Sequence, residues 1–172
     1  ATKSIVGLGS LLGSAEYQQS DKPLLISLGR GITGKSYFGN LGKMPHLLIA
    51  GATGSGKSVM IHSIITSLLF RNSPENLRLI MIDPKRVELT LYNGIPHLLS
   101  PVITDAKKTI LALKWAAKEM DRRYDILEAE SVRDISSYHK NILEPALSKA
   151  REKGLDDKSD ESELELPETM PY

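Results

Sequence analysis

The chain has 172 residues, 41% hydrophobic and 25% charged, which is one domain's worth of chain with enough apolar residues for a packed core and too many for a disordered one. Lys+Arg and Asp+Glu number 22 and 21, so the net charge of +1 gives the chain as a whole no pull toward nucleic acid or an anionic membrane. The absence of cysteine excludes a disulfide framework and thiolate-ligated zinc, and no apolar run approaches the roughly 18 residues of a membrane span. Ala1 opens no signal peptide, and a cytoplasmic setting is expected.

Residues 1–22 read as a leading arm, small, polar and glycine-spaced, with a helical turn near Leu11 and Leu12. Across residues 23–45, Leu24 to Leu28 predicts a strand, and Gly29, Gly31 and Gly34 before Lys35-Ser36-Tyr37-Phe38 predict a hairpin leading to Pro45. His46 to Ala50 has the continuous apolar character of a buried strand, Gly51 to Gly56 is a glycine loop, and Ser58 to Phe70 carries apolar residues at helical spacing. Arg78 to Ile82 predicts a second buried strand, stopped at Asp83-Pro84.

From Thr104 to Glu130 the spacing predicts a long helix that buries Ile110, Leu113, Ala117, Met120, Tyr124 and Leu127, with Trp115 off that stripe. Lys107, Lys114, Lys118 and Arg122, with Arg123 nearby, sit on the opposite face. On charge alone, a solvated face is the better reading than a DNA patch. After Ser131 come a short segment from Val132 to Ile142, a proline at Pro145 and a polar run, Arg151 to Glu168, with eight acids against three bases. The four histidines, His46, His62, His97 and His139, show no metal-ligand spacing.

Gly51-Ala52-Thr53-Gly54-Ser55-Gly56-Lys57-Ser58 completes the pattern G-x-x-x-x-G-K-[ST] of a phosphate-binding loop. Glycines let the backbone turn its N–H groups inward around the phosphates, in conformations that a Cβ would block. Lys57 brings a point charge to the β- and γ-phosphates and is the candidate catalytic residue. Ser58 offers a hydroxyl to Mg²⁺, and the following helix starts with its positive end toward the anion. Leu79 to Ile82 followed by Asp83 has the form of a second nucleotide-site strand. A carboxylate there faces the ligand crevice as a metal-side acid or closes the strand as a turn residue; Pro84, where a catalytic glutamate usually follows such an acid, favours the turn.

Met44 to Ser58, then Ile82-Asp83-Pro84-Lys85 with Val87-Glu88-Leu89, then Tyr92 to Leu99, Val102 to Asp105 and Glu119 to Tyr124 closely resemble the motor of the FtsK/SpoIIIE DNA translocases. The resemblance runs from about Pro23 to Tyr138, with departures at Gly31, Ala106 and His139. It implies an α/β, RecA-like P-loop NTPase with a mainly parallel sheet flanked by helices, incomplete in this chain. Residues 46–150 would be the first part of the core, and residues 151–172 an acidic surface loop leading to a missing Walker B strand.

The function implied is an ATP-driven, Mg²⁺-dependent double-stranded DNA translocase, a homo-hexamer that moves chromosomes at division or sporulation. Its motor would be cytoplasmic, with any membrane attachment through segments absent from this chain. Carried over by position are Gly51 to Ser58 with the adjoining Val59 as nucleotide-binding, and Asp83, Lys85 and Glu88 as a signature near the site. Arg133 and Lys140 carry over as candidate DNA contacts. The alternatives are a related ATPase that drives protein secretion and a nucleotide-binding piece without motor activity. The resemblance also implies that a strand ending in Asp-Glu lies between the two predicted strands, leaving both with unpaired edges here.

Overall fold

The computed structural model describes residues 5–44, 46–152 and 166–172. It divides into two compact units, residues 1–73 and 74–172.

In the first unit the leading arm is folded into the core. Two short helices, α1 (Leu8–Leu12) and α2 (Ala15–Gln18), precede the antiparallel hairpin of β1 (Leu25–Arg30) and β2 (Ser36–Asn40). Leu12, Tyr17 and Leu25 form a buried cluster, with Leu8 and Phe38 packed against it. The hairpin turns where the sequence placed its glycines: Gly31 donates to Lys35 O, and Gly34 occupies the left-handed region at φ 81°.

The predicted strand at His46 to Ala50 is not one. Among the described residues it pairs with no neighbour, and Leu47 and Leu48 are 44% and 89% exposed. A buried parallel strand takes its ladder from distant chain, which an apolar run cannot supply for itself. After the glycine loop, α3 spans Lys57–Arg71, within one residue of the expected helix at each end.

In the second unit, the Arg78 to Ile82 stretch is reduced to two isolated parallel bridges, Leu79 with Leu98 and Ile82 with Ile103. Leu77, Met81, Val102 and Ile103 are buried. The long helix, α4, runs Ala106–Ala129; Asp105 caps it by accepting the Lys108 N–H at 3.0 Å. The short α5 (Ile135–Tyr138) continues through a π turn (His139–Leu143) into α6 (Glu144–Glu152). Leu127, Tyr138 and Met170 make the core there, surrounded by Ile126, Val132, Ile135, Ile142 and Leu143.

The buried face of α4 differs from the expected one. Ile110, Leu113, Met120 and Tyr124 are 52–60% exposed, and Leu127 alone of the named large side chains is buried. Trp115, placed off the stripe, is 48% exposed, slightly less than any of them. The partly covered row is Thr109, Ala112, Ala116, Glu119, Arg123 and Ile126, one position back around the helix. Most of the proposed acidic loop, residues 153–165, lies outside the described residues. Among those described, no helix is long and apolar enough to cross a membrane.

Candidate functional site

The glycine loop opens the first unit's longest helix. Gly56 caps α3 at φ 93° and Gly54 has φ 78°, both in the left-handed region where a side chain is strained. At Gly51 the constraint is space: a Cβ there would collide with Ser55 Oγ. The loop is closed by the Ser55 N–H donating to Ala52 O at 3.0 Å, and the Met60 N–H reaches back to Gly56 O at 2.9 Å. Residues Gly51 to Gly56 are exposed, with Lys57 and Ser58 half-buried at the start of α3. Exposed backbone at a helix N-terminus, with Lys57 and Ser58 following, suits a polyphosphate and its cation.

The other end of α3 is anchored. Ser67 Oγ donates to Ser63 O at 2.7 Å and accepts the Ser27 N–H of β1 at 3.1 Å, while the Tyr17 hydroxyl donates to Ser67 O. Arg71 lies 4.8 Å from the Tyr17 ring centroid and donates to Ser20 O. Asn72 donates to Pro23 O and Leu68 O. Burial pushes the Tyr17 phenol up despite the opposing charge of Arg71, so its hydroxyl remains a donor at neutral pH. The leading arm and β1 thus fix the direction in which α3 presents the glycine loop. Sequence reading gave the arm no such role; the trace of it is Ser63 and Ser67, one turn apart on an apolar helix.

Asp83 lies in the second unit and is 7% exposed. One carboxylate oxygen accepts the Arg86 N–H at 3.1 Å, and the other accepts those of Glu88 and Leu89 at 2.9 and 3.0 Å. These N–H groups, Leu89 and Glu88 foremost, hold its pKa below the ordinary carboxylate range. Both oxygens are engaged in folding residues 83–89 into a turn, in which Arg86 takes φ 58°. Of the two readings of Asp83, this is the geometry of the turn residue. Lys85 is exposed at the same corner, and Glu88 contributes its backbone to it.

Arg133 has a side chain 90% exposed and donates to Asp134 at 3.2 Å; Asp134 in turn caps α5 through the Ser137 N–H. Lys140 is exposed on the π turn. Among the described residues, no group of three or more His, Asp or Glu is placed to hold a metal ion. Ser58 is the residue that suits a nucleotide-borne cation.

A glycine loop of this form at the head of a helix in an α/β chain defines a P-loop NTPase. The comparisons narrow this. The FtsK/SpoIIIE family model matches residues 8–152, and the chain belongs to that family. The match begins within the leading arm, where α1 starts. The chain is 45% identical to the DNA translocase FtsK of Agrobacterium fabrum over 99% of its own length and 20% of the relative's. It is 51% identical to the DNA translocase FtsK of Haemophilus influenzae over 83% of its length and 27% of that protein's. It therefore spans about a fifth to a quarter of the length of these relatives. Among solved structures, the pCW3 conjugation coupling protein TcpA, in its monomer form with ATPγS, matches with a TM-score of 0.55 and 25% identity. That match covers 75% of this chain and 34% of TcpA.

Proposed function

We propose that this chain is the nucleotide-holding part of an ATP-driven motor that moves double-stranded DNA, of the kind that partitions chromosomes at division or sporulation. The observation that carries the reading is a complete phosphate loop, in left-handed glycine geometry at the head of an anchored helix, within a chain of the FtsK/SpoIIIE family. The relatives named as DNA translocases and the likeness to a conjugation coupling protein with ATPγS support it.

In this reading the exposed N–H groups of residues 51–58 surround the β- and γ-phosphates, and Lys57 neutralises charge on them. Ser58 holds Mg²⁺, which supplies Lewis-acid polarisation of the phosphates when bound. The hydrogen bonds at Ser67 and Arg71 hold the far end of α3 to β1 and the leading arm. The motor works as a homo-hexameric ring around the duplex in the cytoplasm, with any membrane attachment through segments outside this chain. Arg133 and Lys140 are its candidate DNA contacts, and Asp83, Lys85 and Glu88 are a signature carried over from the family.

The test is ATP turnover by the full-length protein with and without duplex DNA at low salt, where phosphate contacts are strongest. Stimulation that fades as salt is raised is the expected result; turnover indifferent to DNA overturns the translocase reading.

A further inference from the structure

The near-neutral charge of the chain is divided unevenly along it. Residues 1–73, the first unit, hold seven Lys and Arg against two Asp and Glu, and from Lys22 to Pro74 no acid occurs at all. Two of these cations are accounted for: Lys57 heads the phosphate loop, and Arg71 meets the Tyr17 ring and donates to Ser20 O. Lys22, Arg30, Lys35 and Lys43 are exposed and, among the described residues, have no ion-pair partner. A run of cations without counter-charge repels itself and is stabilised by a polyanion.

The β1–β2 hairpin carries two of the four at its tip. Its base is buried at Leu25, Ile26 and Ser27, whereas Arg30, Ile32 to Lys35 and Tyr37 are exposed, Ile32 fully so. The tip is held in shape: an Arg30 guanidinium N–H donates to Gly34 O, and the Gly31 N–H donates to Lys35 O, both at 2.9 Å. The Lys35 ammonium lies 5.9 Å from the centre of the Tyr37 ring, and that ring covers Gly31 so closely that a Cβ there would collide with it. Groups fixed in advance lose little freedom when they bind. The tip is therefore a stiff two-stranded ribbon with a cation on each side of its turn, an exposed aromatic ring and no acid.

We propose that this hairpin tip docks on the backbone of double-stranded DNA, a contact separate from the phosphate loop and from Arg133 and Lys140. Arg30 and Lys35 neutralise phosphates on the two sides of a groove, and Ile32 and Tyr37 lie between them against sugar and base edges. Shape favours a duplex over a protein surface: a two-stranded ribbon fits a major groove about 12 Å wide, whereas the core of a protein interface is depleted in lysine. The choice of a duplex rests on the translocase reading and deepens it, while the charge and form of the tip stand on the first unit alone. The contact reads no sequence, because phosphates position a protein on DNA without specifying bases.

Salt titration of binding to a short fluorescent duplex of mixed sequence tests this, with the full-length protein, its Arg30→Gln/Lys35→Gln double variant, Lys35→Gln alone and Lys57→Ala. The double variant is expected to bind the duplex about tenfold more weakly at low salt, with a slope of log affinity against log salt shallower by about two, and to keep its affinity for Mg-ATP. Lys35→Gln should flatten the slope by about one. Lys57→Ala should lose Mg-ATP and keep the duplex. A folded double variant with native affinity and slope overturns the hairpin contact and leaves the translocase reading standing. Should the double variant misfold, Lys35→Gln decides, since the Lys35 ammonium touches only the Tyr37 ring. Weakened self-association in sedimentation, with duplex binding unchanged, would assign the tip to a second copy of the chain and overturn the DNA contact. Failure of the native protein to bind the duplex at any salt overturns the translocase reading and the hairpin contact together.

Discussion

Lys57→Ala removes an ammonium from the loop that is to hold a polyanion, and the glycine N–H groups that remain cannot replace a full charge. Nucleotide affinity is expected to fall at least tenfold, with the helical spectrum unchanged, because the half-buried Lys57 heads α3 without belonging to a buried cluster. Equilibrium binding of a nucleotide by both proteins checks this. Asp83 yields a prediction of another kind. Its pKa is depressed in the folded chain, so its contribution to stability is fully present above its unfolded value near 3.8 and is lost as pH falls through the lower folded value. Asp83→Asn should lower the melting temperature at pH 7, and the gap to the native protein should shrink as the pH is taken below about 4. A gap that stays constant with pH would mean that the Glu88 and Leu89 N–H groups are satisfied in some other way. At this scale the sequence was highly legible, since the glycine loop is a contiguous segment whose chemistry needs no distant partner. Asp83 was legible only as a choice, because its partners are the backbone of residues 86 to 89 and backbone carries no sequence signal.

Apolar spacing along α4 located the helix and its length but not the side that is covered. The expected stripe and the observed one differ by a single residue, about 100° of rotation. The covered row includes Glu119 and Arg123, which a hydrophobic pattern cannot nominate. They belong there because Glu119 pairs with Arg122 at 2.7 Å and Arg123 at 2.8 Å, and Arg123 also donates to Pro171 O. Arg122, then burial opposing it and Arg123, set the Glu119 pKa at about 2. With Leu113 and Met120 more than half exposed, truncating either to alanine in this chain should cost under about 1 kcal/mol, whereas Leu127→Ala should cost about 2–4 kcal/mol. Thermal melts of the three variants compare them directly. Equal losses at Leu113 and Leu127 would restore the stripe predicted from spacing. The failed strand at His46 to Ala50 teaches the same lesson: local sequence sets a segment's preference, and neighbours far along the chain decide whether it is met.

The second unit is closed by residues far apart in sequence. Tyr172 donates its N–H to Asn76 O at 2.9 Å and accepts the Arg78 N–H at 2.8 Å, one bond on each side of Leu77. Leu79, Met81 and Asp83 direct their ladder bonds the other way, to residues 97–103. By the alternation of a strand, Ile80 and Ile82 therefore turn their N–H and C=O groups toward the side on which Tyr172 enters, and among the described residues no backbone partner meets them there. The pairing of Tyr172 beside this strand was not foreseen from the sequence. Side chains hold the same segment down: Met170 is 2% exposed against Leu127 and Tyr138, the Tyr138 hydroxyl donates to Glu168 O, Arg122 pairs with Glu168, and the His139 ring meets Met170 O. Burying a methionine and satisfying several backbone groups at once is worth more than any surface pair. Removing residues 166–172 should thus destabilise the second unit by about 3–5 kcal/mol, and Met170→Ala alone by about 2–4 kcal/mol. Amide exchange reads the outcome locally: Leu127 and Tyr138 should lose protection in both variants while Leu68 on α3 keeps its own, and uniform loss along the chain would show that the two units unfold as one.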